Sequence, residues 1–160
     1  MEIGVLIITA ILVTIVILPF IAMARGSRKK QNDLYTHLES FAVPHKGHVT
    51  EYDTLNNFAI GMDSQTKHVY FYKKTPKAEI HQDIDLGKIR SCSVEKKMHS
   101  TRNGKNTSEV LDGIRLAFSP AGGALPEFFE LFDADENFQV SGELDIADKW
   151  RNKIQAALVA

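Results

Sequence analysis

The first stretch of the chain is apolar without interruption. Residues Ile3–Met23, which read IGVLIITAILVTIVILPFIAM, contain no charged side chain. About 20 apolar residues at 1.5 Å per residue are enough to cross a hydrocarbon core of roughly 30 Å. We therefore expect residues 1–24 to form a transmembrane anchor. In this helix the hydroxyls of Thr9 and Thr14 would bond back to helix carbonyls, and Pro19 is tolerated near one end.

A cleaved signal peptide is the alternative reading of this segment. Ala22-Met23-Ala24 resembles a cleavage site. However, Glu2 precedes the apolar run without any Lys or Arg, and the run is longer than a typical signal core. The anchor is the interpretation that these features favour.

Four cations follow the apolar segment directly: Arg25, Arg28, Lys29 and Lys30. Positive charge beside a span is retained on the cytoplasmic side, so these residues predict a membrane interface with residues 25–160 in the cytoplasm. The expected localisation is the cell inner membrane, crossed once. Binding of a specific anionic lipid headgroup by the same cations is a second interpretation, although cations beside any span attract anionic lipid generally.

The segment 25–46 combines these juxtamembrane cations with a short amphipathic helix. Apolar side chains recur at helical spacing between Gln31 and Ala42, and Pro44 is expected to end the helix. The apolar positions are Leu34, Leu38, Phe41 and Ala42. Packing on the following domain is the role that this stripe predicts.

From Lys46 to Pro120 the apolar period becomes two, which predicts strands with one buried face. A polar turn separates Asn57–Asp63 from the aromatic run His68–Lys73, so these two segments are expected to form a hairpin. The buried face predicted for the first segment consists of Phe58, Ile60 and Met62.

Later segments extend this pattern. A shorter strand or loop is expected at Glu79–Leu86, and a last strand at Glu127–Asp133. Between them, Ile89–Met98 and Val110–Phe118 alternate, and the turn Arg102–Lys105 contains Asn-Gly, a strong hairpin signal. The inward positions expected are Cys92 and Val94 on the first of these strands, and Val110, Asp112, Ile114, Leu116 and Phe118 on the second.

The chain ends with an amphipathic helix, predicted over Asp145–Leu158. Its apolar stripe is formed by Ile146, Ala147, Trp150, Ile154 and Leu158. Antiparallel strands followed by one helix predict a mainly β domain, a bent sheet or small barrel. The helix covers one open end, with Trp150 as its largest anchor.

Charge and cysteine content narrow the functional classes. The formal net charge is −1, but from Gln31 onward the chain has 15 basic and 19 acidic residues. An acidic domain is a poor candidate for nucleic-acid binding, in which neutralisation of phosphates dominates affinity. Cys92 is the only cysteine, which excludes an intramolecular disulfide and a cysteine-based zinc site.

Three segments resemble bacterial pleckstrin-homology-like (PH-like) domains. Asn57–Lys67 resembles the strand–turn–strand opening, Asp83–Ile89 the step into a later strand, and Ile146–Trp150 the closing helix. The resemblance implies a PH-like domain over 47–160, a bent barrel of about seven antiparallel strands capped by one helix. It also implies interaction rather than catalysis. Lipid-binding members place cations beside the first hairpin, whereas Glu51–Asn57 is acidic and neutral here, so we do not expect phosphoinositide binding.

The stretch Asp133–Leu144 partly matches a calcium loop. Asp133, Asp135 and Asn137 take its first, third and fifth places. The sixth place needs Gly and the twelfth a bidentate Glu, but Phe138 and Leu144 occupy them, and Glu143 comes one residue early. A solvated acidic loop is therefore the favoured interpretation.

Other polar clusters offer no catalytic pattern. His45 and His48 form an H-x-x-H pair on a predicted loop, where no carboxylate completes a zinc site, so exposed histidines are expected. Basic residues form two clusters: Lys73, Lys74 and Lys77, and Lys96, Lys97, Arg102 and Lys105. Each cluster is most simply a solvated loop. Together they are the electropositive surface that could approach an anionic membrane or an acidic partner.

These features predict a non-enzymatic single-pass membrane protein that presents a cytoplasmic PH-like interaction or scaffolding domain. No catalytic residue, cofactor or metal is expected. The expected partners are the membrane and an unidentified protein, a homo-oligomer remains an open alternative, and nucleic acid is not expected. A second hypothesis is a sensor that binds Ca²⁺ at the acidic loop 133–143 or an anionic headgroup at the basic turns.

Overall fold

The computed structural model describes residues 3–137 and 139–160. The chain divides into two compact units, Met1–Asp33 and Leu34–Ala160. One helix, α1 (Ile3–Ala42), begins in the first unit and ends in the second. The amphipathic helix predicted to start at Gln31 is thus the last part of α1, and a 3₁₀ turn over Val43–His45 follows it.

The first unit contains the apolar part of α1. Its aliphatic side chains are exposed, and by length and mean hydropathy (3.0 in the most apolar window) the helix is a candidate membrane span. The hydroxyls of Thr9 and Thr14 donate to the carbonyls of Val5 and Ala10 at 2.8 and 2.7 Å, which confirms the predicted back-bonding. Pro19 lies within the helix.

The second unit contains seven strands and a closing helix. The elements are β1 (Glu51–Leu55), β2 (Phe58–Asp63), β3 (His68–Lys74), β4 (Glu79–Asp85), β5 (Ile89–Asn103), β6 (Asn106–Pro120), β7 (Glu127–Asp133) and α2 (Glu143–Val159). All pairings are antiparallel, in one sheet ordered β1-β2-β3-β4 and another ordered β5-β6-β7. The mainly β fold with a C-terminal helix is confirmed, but the two sheets do not close into a barrel.

The main core lies between the inner faces of the two sheets. Phe71 of β3 stacks on Phe129 of β7 with ring centroids 4.9 Å apart. Trp150 of α2 is fully buried in the same cluster. The predicted inner positions Phe58, Ile60, Met62, Cys92 and Val94 all belong to this core or pack against it.

The outer face of the first sheet is covered by the end of α1. The side chains buried there are Leu34, Leu38, Ala42, Val49, Ala59, Tyr70 and Tyr72. At Gly61 of β2 a Cβ would lie 2.7 Å from Val49 Cγ1 and 2.9 Å from Leu38 Cδ2. Small residues on this face therefore let the helix approach closely, and the compact second unit includes this end of α1.

The β5–β6 hairpin is longer than the pattern predicted. The strands continue to Asn103 and Asn106, joined by a two-residue loop in which Gly104 has φ 66°. Positive φ at the first loop position fits a type II′ turn.

A register shift interrupts this hairpin. Lys97 faces Gly113 whereas Met98 faces Leu111, so Asp112 has no partner opposite it. The strict alternation expected for β6 is therefore wrong at its start, where Val110 is 42% exposed. Ile114, Leu116 and Phe118 are buried as predicted.

Gly61→Ala should destabilise the second unit by about 1–3 kcal/mol, because an added methyl would overpack the contact between α1 and β2. Gly122→Ala is the matched control, since nothing lies within 4 Å of a Cβ there. Thermal melting of the full chain in detergent measures both. Equal melting temperatures for the two variants would contradict the close approach.

Candidate interaction surfaces

The acidic residues of β1 face the closing helix. Asp53 Oδ2 accepts the indole N–H of Trp150 at 2.8 Å, and Asp53 Oδ1 accepts from Lys149 Nζ at 2.9 Å. Glu51 is ion-paired with Lys153, one turn further along α2. The register of β1 places Glu51 and Asp53 on the same face as the core residues of β2. The acidic residues of the first hairpin therefore attach α2 to β1.

Glu143, the first residue of α2, is also used internally. Its side chain is buried, with Oε1 accepting from Asn56 Nδ2 at 2.7 Å and Oε2 from the Ser141 N–H at 2.6 Å. Asn56 lies in the β1–β2 turn with φ 49°. A carboxylate at a helix N-terminus also interacts favourably with the helix dipole. The contact ties the start of α2 to the first hairpin.

The three lysines of the first predicted basic cluster differ in their exposure to solvent. Lys73 is 1% exposed and its ammonium lies 2.7 Å from Glu136, so it does not belong to a solvated surface as expected. Its place opposite Phe58 in the β2–β3 register turns it inward. Lys74 is exposed and lies 3.4 Å from Glu79, whereas Lys77 is exposed in the β3–β4 loop.

The second basic cluster lies along the long hairpin. Lys97 pairs with Glu130 of β7 at 3.0 Å. Lys96, Arg102 and Lys105 are exposed, and within the described residues no carboxylate lies within 4.0 Å of any of them. All four residues of the predicted cluster are therefore exposed to solvent, and Lys97 differs from the others in being ion-paired.

The predicted membrane-interface residues are all exposed on α1: Arg25, Arg28, Lys29 and Lys30. They follow the apolar side chains of the same helix. The cations therefore follow the candidate span on the same helix, and their place at a membrane interface stays a prediction.

The acidic loop after β7 is held by its own hydrogen bonds. Asp133 Oδ1 accepts from the Asp135 N–H at 2.9 Å, and Glu136 is paired with the buried Lys73. Phe138, at the sixth place of the calcium pattern, lies outside the described residues. Over 3–137 and 139–160, no group of three His, Cys, Asp or Glu side chains is arranged to hold a metal ion.

His45 and His48 are exposed, as expected. His48 Nδ1 lies 3.6 Å from Glu39 Oε1, and His45 Nε2 lies 4.0 Å from Asp83 Oδ2. His68 Nδ1 also approaches this carboxylate, at 3.8 Å. The sequence pattern did not indicate that β3 and β4 bring His68 and Asp83 beside His45.

Asp63 connects the chain before β1 to the β2–β3 turn. Burial favours the neutral form of this carboxyl, but the N–H groups of His48, Gln65 and Thr66 outweigh it and hold the pKa below its usual value. A lowered folded-state pKa stabilises the fold above the unfolded-state pKa, and this contribution is lost as the pH falls through the folded-state value.

No family model, curated protein or solved structure matched this chain in comparisons with known proteins.

Asp53→Ala should lower the free energy of unfolding by about 1–3 kcal/mol, because the buried Trp150 N–H would lose its acceptor. Glu51→Ala is the matched control, since it removes a more exposed ion pair on the same strand, worth about 0–1 kcal/mol. Urea unfolding, followed by fluorescence of the single tryptophan, compares them. Equal losses for the two variants would show that the indole bond contributes little.

Added millimolar Ca²⁺ should not raise the melting temperature of the full chain. Leu144 has no oxygen in its side chain for the twelfth place, and Glu143 already bonds to Asn56 and Ser141. Replacing Asp133, Asp135 and Asn137 with serine should change stability by about 0.5 kcal/mol or less. A calcium-dependent rise that disappears in this triple variant would instead establish the sensor hypothesis.

Proposed function

We propose that this protein is a single-pass inner-membrane protein that presents a non-enzymatic interaction or scaffolding domain to the cytoplasm. The observation that carries the proposal is the composition of α1. This one helix contains the exposed apolar stretch and, at its other end, Leu34, Leu38 and Ala42 in the core of the second unit. Whatever anchors the helix thus also retains the domain.

Orientation is supported by the charges that follow the apolar stretch. Arg25, Arg28, Lys29 and Lys30 are exposed and lie within the range over which positive charge sets orientation. Anchoring would confine the domain to the membrane plane and raise its effective concentration toward partners there.

The assignment of the domain to the PH-like class is part of this proposal. About seven antiparallel strands followed by one helix is the element order that the resemblance implies, and the second unit has seven strands and a closing helix. The end of α1, which covers the first sheet, is an element additional to that order. The polar side chains of β1 and α2 hold the fold together, as the Asp53–Trp150 and Glu143–Asn56 bonds illustrate, so a partner would bind elsewhere on the unit.

The calcium sensor has weaker support than the interaction module. A loop carboxylate, Asp133, accepts from its own backbone, and Glu136 neutralises the buried Lys73. Withdrawing Glu136 for an ion would leave Lys73 as an unpaired buried charge, which is costly.

Reporter fusions after Ala160 test the proposed topology. A cytoplasmic reporter, such as green fluorescent protein, should be active, and periplasmic alkaline phosphatase should be inactive. Replacing Arg25, Arg28, Lys29 and Lys30 with glutamine should give mixed orientation, because the substitutions remove the positive charges that keep this end of the span in the cytoplasm. The control replaces Lys77, Lys88, Arg90 and Lys96 and should leave orientation unchanged. Phosphatase activity of the unmodified fusion would overturn the proposal.

A further inference from the structure

The far end of the long hairpin is a ribbon that buries nothing. We call residues 98–110 the β5–β6 arm, and every one of them is exposed. The third strand of the sheet, β7, pairs with β6 only from Gly113 to Phe118, so the arm consists of two strands alone. Its strands extend about 20 Å at 3.4 Å per residue, as six residues run from Met98 to Asn103.

A two-stranded ribbon without a covering layer is marginally stable in water. The arm contributes no residue to either core cluster of the described structure. Six of its thirteen residues are Ser, Thr or Asn, and Glu109 is its only carboxylate. The arm therefore has no evident structural role within the unit and presents polar groups to solvent on both faces.

Three cations on and beside the arm differ in pairing from most cations of the unit. We call Lys96, Arg102 and Lys105 the arm cations. Elsewhere the described side chains that lie in ion pairs are Lys73, Lys74, Lys88, Lys97, Arg115, Lys149, Arg151 and Lys153. The arm cations thus lack a carboxylate partner among the described residues, and two of them, Arg102 and Lys105, lie together at the tip of the arm in a net acidic domain.

Distance separates the tip of the arm from the acidic body of the domain. At physiological ionic strength, interactions between exposed charges are largely screened beyond about 8 Å. Arg102 and Lys105 lie at the end of a ribbon about 20 Å long. An anionic surface that touched the tip would therefore interact with these cations while the acidic residues of the body were screened from it.

We propose that the arm cations bind the anionic lipid headgroups of the membrane in which α1 is anchored, an inference that rests on the proposed anchoring. The anchor would keep lipid phosphates at high effective concentration near the domain. An acidic protein could offer similar charge, but no other feature of the chain indicates one. The arm would act as a second, electrostatic contact with the bilayer.

A labelled arm in lipid nanodiscs tests this contact in the full chain. A fluorophore is attached at Thr101→Cys, and acceptor dye is carried on lipid headgroups. The native Cys92 should not react, because it is buried and burial raises the pKa of its thiol to about 12. Discs contain phosphatidylcholine alone or mixed with phosphatidylserine.

Energy transfer should be higher in the phosphatidylserine discs, and added salt should remove the increase. The variant Lys96→Gln, Arg102→Gln, Lys105→Gln should lose the increase. The matched variant Lys46→Gln, Lys77→Gln, Arg90→Gln should keep it, since it removes the same number of exposed cations away from the arm.

Four outcomes would overturn the proposal. Transfer that is independent of lipid charge in chains inserted in discs would reject the arm contact and leave the anchoring intact. Equal loss in both triple variants would show that total charge, not the arm, is responsible. Failure of the chain to enter discs would reject both the anchoring and the arm contact. An increase that appears only when an acidic protein is added would assign the arm to a protein partner instead.

Discussion

The close approach of α1 to the first sheet at Gly61 is the constraint on which the rest of the second unit depends. Because no Cβ is present there, Leu38 and Val49 reach the strand backbone. The helix end then covers Tyr70 and Tyr72, whose burial raises the pKa of both phenols. The central strands of the first sheet, β2 and most of β3, are thereby buried on both faces, one by α1 and the other by the second sheet and α2. A helix that also carries the apolar stretch is in this way an integral layer of the domain.

Much of the fold was predictable because strand alternation is a local signal. The positions of Phe58, Ile60 and Met62 followed from period two alone, and the turn at Gly104 followed from its Asn-Gly pair. Two features were not predictable in this way. The small outer-face residues beside Gly61 are meaningful only when the covering helix is known. The register shift opposite Lys97 depends on strand pairing, which a single strand's pattern does not contain.

The charged residues were harder to interpret, because their roles depend on partners far away in sequence. Lysine is usually a surface residue, yet the β2–β3 register turns Lys73 inward, where Glu136 pairs with it. In the sequence, Asp53 is an acidic residue where lipid-binding members of the PH-like class have cations. In the structure it accepts a hydrogen bond from Trp150, which is distant in sequence. The sequence located the basic and acidic clusters, whereas only the contacts distinguish charges that are paired within the fold from charges that are not.

This distinction separates two kinds of positive charge in the second unit. Charges such as Lys149 and Lys153 attach α2 to β1, and their carboxylate partners already neutralise them. Charges such as Arg102 and Lys105 stand on a ribbon whose removal from the domain would expose no core. A ribbon of this kind loses conformational entropy on ordering that no burial within the unit offsets. An external contact at the tip would offset that cost, so order in the arm and binding by its cations would depend on each other.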